Sequence, residues 1–188
     1  VSDMQFPGQL FKNSGVPMPM PKAMRSDLTG LEIITHFVTA NENKVSIPFA
    51  GSQTPAEFKK QKNIIYADEY YFSLFQYKWL AGSMQTALKD PFQLVLTESR
   101  AKIYFGNTTL NDIVGRSVIY SDSIKTTVAG IVKDLDYATD FTFKEFISLA
   151  TVMTTGLKDH FGGDQWGSIN SSCQSFVKLV KGTTAKQI

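Results

Sequence analysis

Apolar and polar positions along the chain follow the spacing of β-strands more often than that of helices. β-Branched and aromatic residues dominate 31–39, 44–49, 63–67 and 92–96, and the polar stretch 41–43 has the composition of a turn. The pattern predicts strands in these four segments and a β-hairpin formed by the first two.

The second half of the chain continues with strand patterns. Residues 117–120 and 125–132 flank three polar residues, 121–123, of the kind that close hairpins. Residues 141–151 are mostly apolar, and 175–180 alternate between apolar and polar side chains as a half-buried strand does. These segments predict one antiparallel pair around 121–123 and two further strands.

Helical signals are short and lie between the strands. One helix is predicted from about Pro21 to Leu28, because the prolines just before it forbid an earlier regular helix. Asp68 precedes a mostly aromatic stretch, 71–75, and is a candidate N-cap for a second helix with one buried side. Two further helical segments are predicted closer to the C-terminus: 152–161 and 183–188.

The helix predicted for residues 98–105 has the clearest boundaries. Thr97 supplies an N-cap oxygen, and Glu98 complements the helix dipole in the first turn. Gly106 stands where a residue in the left-handed conformation ends a helix.

The spacing of apolar residues also predicts which face of this helix is buried. Three side chains fall on one face: Ala101, Tyr104 and Phe105. We expect this face to pack against the strands at 92–96 and 126–132. Arg100 and Lys102 are expected to face solvent.

The composition is that of a folded protein. The chain has 188 residues, of which 43% are hydrophobic and 19% charged, so it can form one domain or two small lobes. Strands and short helices are mixed without a regular strand-helix-strand rhythm, and the predicted fold class is therefore α+β. Lys and Arg number 19 against 17 Asp and Glu, and they are scattered, so no nucleic-acid partner is expected.

Cysteine content and apolar segments add little about the compartment. Cys173 is the single cysteine, which excludes an internal disulfide and a cysteine-pair metal site. The best apolar stretch, 146–153, is far shorter than the roughly 20 residues that cross a bilayer. We expect the chain as given to be soluble, and its opening at Val1 without a signal peptide to be an excised boundary.

Ser99 and Lys102 match the S-x-x-K spacing of penicillin-binding enzymes, in which one helical turn brings an amine to a serine nucleophile. The companion motifs of that class are missing, because 181–183 reads Lys-Gly-Thr and 121–123 reads Ser-Asp-Ser. Helix capping explains Ser99 better, and a serine hydrolase is kept only as an alternative function.

The remaining candidate chemistry is sparse. His36 and His160 are the only histidines and lie far apart in sequence, whereas a metal site needs converging ligands. Asp159, His160 and Ser168 lack the context of a nucleophile elbow. No phosphate-binding G-x-x-x-x-G-K-[ST] loop occurs, so ATP-driven work requires a separate subunit. We predict no catalytic residues, no metal and no cofactor.

Trp166 is the one candidate contact residue. It lies in a glycine-rich segment, 162–167, and an indole on such a loop can anchor a partner. Core packing is the more common fate of a tryptophan, so both interpretations stay open.

Ordered sequence motifs carry a resemblance to a known family. Examples are the Thr97-Glu98-Ser99 helix start and the Val-x-Gly-Ile-x-x-Asp run that ends at Asp134. The matching segments, in chain order, are 68–75, 80–82, 95–101, 105–106, 113–116, 128–134 and 141–149. Together they resemble the MacB-like periplasmic core domain of FtsX-type ABC transporter permeases. A proline that this family often has after the Asp134 position is replaced by Leu135.

The resemblance implies an extracytoplasmic domain located between the first two transmembrane helices of a permease in the inner membrane, facing the periplasm or cell exterior. It implies a discontinuous, porter-like first lobe, 1–59 with 146–188, truncated at its C-terminus, and a second lobe inserted at 60–145. Such a domain is not an enzyme; it couples ATP-driven membrane motion to export or to an envelope partner.

The implied partners are the permease's own transmembrane helices, a separate ATP-binding subunit, a second permease copy and a periplasmic envelope protein. The main alternative function is a binding module that captures a lipoprotein, peptide or drug, or recruits a cell-wall hydrolase, through an exposed apolar groove.

Overall fold

β-Strands dominate the part of the chain that the computed structural model describes, residues 2–6, 9–48, 54–169 and 171–188. The strands are β1 (Ser2–Phe6), β2 (Gln9–Asn13), β3 (Leu31–Thr39), β4 (Asn43–Ile47), β5 (Ala56–Gln61), β6 (Ile64–Ala67), β7 (Trp79–Gly82), β8 (Gln93–Thr97), β9 (Ser117–Tyr120), β10 (Ile124–Val132), β11 (Glu145–Ser148) and β12 (Cys173–Leu179). The helices are α1 (Met20–Asp27), α2 (Tyr71–Leu74), α3 (Glu98–Phe105), α4 (Leu110–Ile113), α5 (Ala150–Met153), α6 (Leu157–His160) and a 3-10 helix at Ala185–Gln187.

Ten of the described strands form one mixed sheet. Their order is β12-β3-β6-β11-β8-β10-β9-β4-β5, with β7 paired to β10 outside this path, while β1 and β2 form a separate hairpin. The pairs β6–β11 and β8–β10 are parallel, and the other pairs in the sheet are antiparallel. A mixed sheet with short helices confirms the predicted α+β class.

The central strands are buried on both faces of the sheet. On β8, Leu94 and Leu96 lie in one apolar cluster, the first core, while Val95 lies in another, the second core. On β11, Ile147 and Phe146 divide between the two cores in the same way. Burial on both faces explains why these strands read as continuous apolar runs rather than as alternating patterns.

Short helices close the two cores. The predicted buried face of α3 is confirmed, because its Ala101, Tyr104 and Phe105 all lie in the first core with strands β8 and β10. Tyr71 and Phe72 of α2 lie in the second core, which is mainly aromatic. The helix that begins near Pro21 is found as α1, and α3 has the predicted bounds.

Several predicted strands are confirmed, but one predicted hairpin is wrong. The antiparallel pair β9–β10 closes at 121–123 as expected. β3 and β4 both exist, yet β3 pairs with β6 and β12, and β4 pairs with β5 and β9. Composition identifies a strand but not its partner, and buried β3 needs a neighbour on each side. Phe49, which was assigned to the second strand, lies outside the described residues.

Other boundaries also differ from the prediction. The strand expected over 141–151 is limited to β11, and the helix expected over 152–161 is divided between α5 and α6. Strands β1, β2, β5 and β7 and helix α4 were not predicted. The helix expected at 183–188 is found as the 3-10 turn.

The division into a first lobe, 1–59 with 146–188, and an inserted lobe, 60–145, stays a prediction. Strands from both parts lie in the same sheet: β11 is placed between β6 and β8, and β4 pairs with β9. Within the described ranges, none of the helices has the length and apolar character required to span a membrane.

Candidate functional site

Asp134 ties together three of the segments that carry the family motifs. It follows β10 and accepts the backbone N–H of Ser99 at 2.8 Å and the Ser99 hydroxyl at 2.6 Å. Lys144 Nζ lies 2.6 Å from the same carboxylate. Partial burial raises the pKa of Asp134, but the hydrogen bonds from Lys144 and Ser99 outweigh it and hold the pKa below its usual value.

These contacts correct the predicted N-cap of α3. The Thr97 side chain makes no capping hydrogen bond, and its Oγ1 lies 3.3 Å from Ser99 Oγ. Asp134, distant in sequence, accepts a free N–H of the first helical turn instead. A carboxylate at this end of α3 also interacts favourably with the helix dipole.

Ser99 and Lys102 are not assembled as a catalytic pair. The Ser99 hydroxyl donates to Asp134, and Lys102 is exposed. Between residues 54 and 169, all of which are described, no hydrogen bond or ion pair joins the two side chains. Because the pKa of Asp134 is lowered, that carboxylate is a weak base, and the geometry makes Ser99 a hydrogen-bond donor to the carboxylate that caps α3.

A second polar cluster is buried beneath α3. Glu145 on β11 is 0% exposed, and its two carboxylate oxygens accept the hydroxyls of Tyr104 at 2.8 Å and Tyr120 at 2.5 Å. Arg100 Nε lies 3.3 Å from Glu145 Oε1. Burial raises the pKa of Glu145, although Arg100 and the two hydroxyls act in the opposite direction.

Arg100 was expected to face solvent, and this is wrong. The residue is 9% exposed. Its guanidinium donates to the side chain of Gln61 and, at 3.1 Å, to the carbonyl oxygen of Lys62. The position lies between the apolar and polar faces of α3, and the buried carboxyl group of Glu145 lies next to the guanidinium, which helical spacing alone does not reveal.

Asp68 connects α1, β3 and the start of α2. Its carboxylate accepts hydrogen bonds from Thr35 Oγ1 at 2.5 Å, Arg25 Nη2 at 2.5 Å and the Tyr70 N–H at 3.2 Å. His36 Nδ1 lies 3.1 Å from it. Burial raises the pKa of Asp68, but His36, Thr35 and Arg25 together hold it below its usual value. Asp68 therefore bonds the N–H that precedes α2 rather than capping the helix from the N-cap position.

The other sequence candidates do not converge. Asp159 and His160 are exposed on α6, and no hydrogen bond joins either to Ser168 in the described part of the chain. Among the described residues, no group of three or more His, Cys, Asp or Glu is placed to hold a metal ion. Cys173 is buried, and burial raises its pKa to about 11. Trp166 is 57% exposed and lies mostly outside the core; its contact with a partner stays a prediction.

A surface cavity next to α2 was missed by the sequence analysis. Its volume is about 450 Å³. It is lined by Phe72, Ser73, Gln76, Tyr77, Trp79, Gly82, Ser83, Met84 and Gln85. One wall is formed by β7, a short strand of mixed composition. Because this strand was not predicted, the cavity could not be predicted either. The density of aromatic residues around 70–79 is the only sequence signal that pointed toward it.

A comparison with known protein families finds a match over almost the whole chain. The family model for the MacB-like periplasmic core domain matches residues 4–188. No curated protein matches the chain.

Solved structures with the same fold include several transporter domains. A domain of a putative permease protein from Porphyromonas gingivalis has a TM-score of 0.72 at 16% identity, covering 95% of this chain and 69% of that one. The periplasmic region of MacB from Actinobacillus actinomycetemcomitans has a TM-score of 0.63 at 16% identity, covering 92% and 69%. The extracellular domain of the noncanonic ABC-type transporter YknZ from Gram-positive bacteria has a TM-score of 0.54 at 12% identity, covering 94% and 78%.

At these identities the solved structures show a shared fold, whereas the family model spans almost the whole sequence. Three of the motif segments contact one another in the fold, through the hydrogen bonds of Asp134 with Ser99 and Lys144. The chain belongs to the family of MacB-like periplasmic core domains.

Proposed function

We propose that this chain is the extracytoplasmic domain of an ABC transporter permease, and that it transmits motion rather than catalysing a reaction. The permease and ABC-type transporter domains among the solved structures support this proposal. In it, the domain faces the periplasm or cell exterior from the inner membrane. ATP binding by a separate subunit moves the transmembrane helices, and the domain changes its position relative to a second permease copy or an envelope partner.

The observation that carries the proposal is the joining of the N-terminal and C-terminal parts of the chain at one edge of the sheet. β12 pairs with β3 from Cys173 to Leu179. The Val16 N–H donates to the Cys173 carbonyl at 2.9 Å, and the Val180 N–H donates to the Gly30 carbonyl at 2.9 Å. A displacement applied through either part therefore enters the same two strands.

Strand pairing connects the β12–β3 edge to the centre of the sheet. β3 pairs with β6, and β6 pairs with β11, whose Phe146 and Ile147 are fully buried in the two cores. Because a buried strand cannot shift without losing both ladder hydrogen bonds and close packing, the sheet transmits displacement as a stiff body. The Asp134 cluster connects α3 to the same body.

The test measures nucleotide-dependent motion in the full-length permease with its ATP-binding subunit, so the transported substrate need not be known. Lys102→Cys places a spin label on an exposed site of α3, while the buried Cys173, with its raised pKa, reacts poorly. Electron–electron resonance then reports the distance between the labels of two permease copies. The proposal predicts that this distance changes when ATP is added.

A pair of insertion variants distinguishes motion transmitted from the transmembrane helices from uncoupled motion of the domain. A Gly-Ser-Gly-Ser insertion after Lys181, just beyond β12, is expected to abolish the distance change while ATP hydrolysis continues. The same insertion after Thr155, between α5 and α6, is the matched control and is expected to preserve it. Two results would contradict the coupling role. One is a distance between the labels that does not change on addition of ATP in the permease without an insertion, and the other is an ATP-dependent change of equal size in both insertion variants.

A further inference from the structure

The loop between β10 and β11 forms a common wall of two surface clefts through residues 135–141. One cleft, the α2 cleft, has a volume of about 280 Å³, and its other side is the end of α2 with Gln76. The second, the β11 cleft, has a volume of about 270 Å³ and extends to Asn63 and to the residues just before β11. Tyr137 lines both clefts. Each cleft has room for a ring-sized molecule, and the two together reach the size typical of ligand sites.

Tyr137 supplies the open aromatic surface of these clefts. The residue is 64% exposed. Phe75 and Phe141, which also line the α2 cleft, are half-buried and pack against each other with their ring centroids 4.8 Å apart. A single exposed ring is common on protein surfaces, so its surroundings decide whether it can bind a ligand.

The loop that carries this ring is fixed at its two ends and open between them. The Lys133 N–H donates to the Lys78 carbonyl at 2.8 Å, and the Lys144 N–H donates to the Asn63 carbonyl at 2.8 Å. Within the described part of the chain, the backbone groups of residues 135–139 make no hydrogen bond. The position of the ring is therefore set by the ends of the loop, and the backbone between them is free to bond solvent or a ligand.

Neutral hydrogen-bonding side chains lie on both sides of the ring. Gln76 lies in the α2 cleft, and Asn63 and Thr142 lie in the β11 cleft. All three residues are exposed, and none of these side chains makes a hydrogen bond to another described residue. In the described part of the chain, Lys144 is the one charged residue that lines either cleft, and its Nζ is bonded to Asp134 at 2.6 Å. This lining favours an uncharged ligand with several hydroxyl or amide groups.

We propose that the two clefts bind a neutral glycan, with a pyranose ring stacked on Tyr137 and the adjoining sugar units in the clefts. The face of an aromatic ring carries negative potential, and one face of a pyranose ring presents C–H groups with partial positive charge, so the two surfaces attract each other. Gln76 on one side, and Asn63 and Thr142 on the other, exchange hydrogen bonds with the sugar hydroxyls.

A proline-rich peptide is the other ligand that packs on aromatic side chains. Such peptides dock in grooves lined by several aromatic rings, whereas here one exposed ring lies between neutral amide groups. The surroundings of Tyr137 therefore favour the glycan. This site goes beyond the coupling role and does not depend on it.

The test titrates the chain, by isothermal titration calorimetry, with two uncharged β-1,4-linked tetrasaccharides. Cellotetraose presents hydroxyl groups only, whereas chitotetraose adds an N-acetyl group to every ring. Saturable binding with one site per chain and a dissociation constant below about 1 mM is expected for at least one of them. Binding of both shows that pyranose rings with hydroxyl groups suffice, and binding of only one identifies the substituents that the clefts accept.

Substitutions of exposed residues test the ring and its neighbour. Tyr137→Ala removes the aromatic surface and is expected to raise the dissociation constant at least about five-fold, whereas Tyr137→Phe keeps the ring and should stay within about two-fold. Gln76→Ala removes one hydrogen-bonding group and should raise it about five-fold. Tyr70→Ala is the matched control, because Tyr70 is also exposed but lines neither cleft, and its affinity should equal that of the unmodified chain.

Circular dichroism melting checks that each variant folds, which is expected because all the changed residues are exposed. Absence of saturable binding of both tetrasaccharides, or equal affinity of Tyr137→Ala and the unmodified chain, overturns the proposal. Binding of a proline-rich peptide that Tyr137→Ala abolishes, without binding of either tetrasaccharide, would assign the ring to a peptide and overturns it as well.

Discussion

Replacing Phe105 by alanine is expected to lower the free energy of unfolding by about 3 kcal/mol. The ring is 7% exposed and lies in the first core with Ala101 and Tyr104. Removing a buried phenylalanine ring usually costs about 3–5 kcal/mol, which includes the cavity left behind. Phe105 is the last residue of α3, and the Arg116 guanidinium lies 5.9 Å from the centre of its ring. Because the C-terminal end of a helix can relax around the cavity, we expect a cost near the lower end of this range.

The assay is urea denaturation followed by circular dichroism, together with a thermal melt. For a chain of this length a loss of about 3 kcal/mol corresponds to a melting temperature lower by about 6–12 °C. Ile103→Ala is the matched control, because Ile103 is in the same helix but 56% exposed. Both substitutions introduce alanine into a helix, so propensity effects are similar, and the control is expected to change stability by less than about 1 kcal/mol. If both variants unfold at the same urea concentration, Phe105 does not hold α3 on the sheet.

Four further predictions concern the polar clusters and the chemistry. The lowered pKa of Asp134 means that its carboxylate stabilises the fold above the unfolded pKa of about 3.9 and loses this effect as the pH falls through the folded value. Asp134→Asn should therefore destabilise the chain at pH 7 but progressively less toward pH 3, and a cost that stays constant over this range would contradict the role of the carboxylate. Glu145→Ala leaves the buried Arg100 without its carboxylate partner and should lower the free energy of unfolding, measured by urea titration, by about 3–5 kcal/mol. A loss below about 1 kcal/mol would show that this ion pair does not stabilise the fold. Ser99→Ala should cost about 1 kcal/mol, and a fluorophosphonate probe that labels Ser99 would revive the hydrolase alternative. Calorimetry should detect no saturable ATP binding, and micromolar affinity would contradict the division of labour with a separate subunit.

Elements defined by neighbouring residues were predictable from the sequence. The helix α3 has the bounds that Thr97, Glu98 and Gly106 predicted, because Thr97 has the extended backbone of an N-cap residue and Gly106 ends the helix with a φ of +62°. The β9–β10 pair was also predicted, since a hairpin needs only a short polar turn between two strand patterns. The family resemblance rested on ordered local motifs, and the family match over residues 4–188 confirms it.

Tertiary structure decided what depends on residues distant in sequence. β3 pairs with β12 more than a hundred residues away rather than with the nearby β4, because a buried strand takes whichever partners complete its ladder. Asp134 replaces Thr97 at the start of α3, and Arg100 lies next to the buried Glu145, since both contacts arise only after β10 and β11 lie beside the helix. Local composition determines whether a segment forms a strand or a helix, whereas the packing of distant segments determines which polar side chains become hydrogen-bond partners.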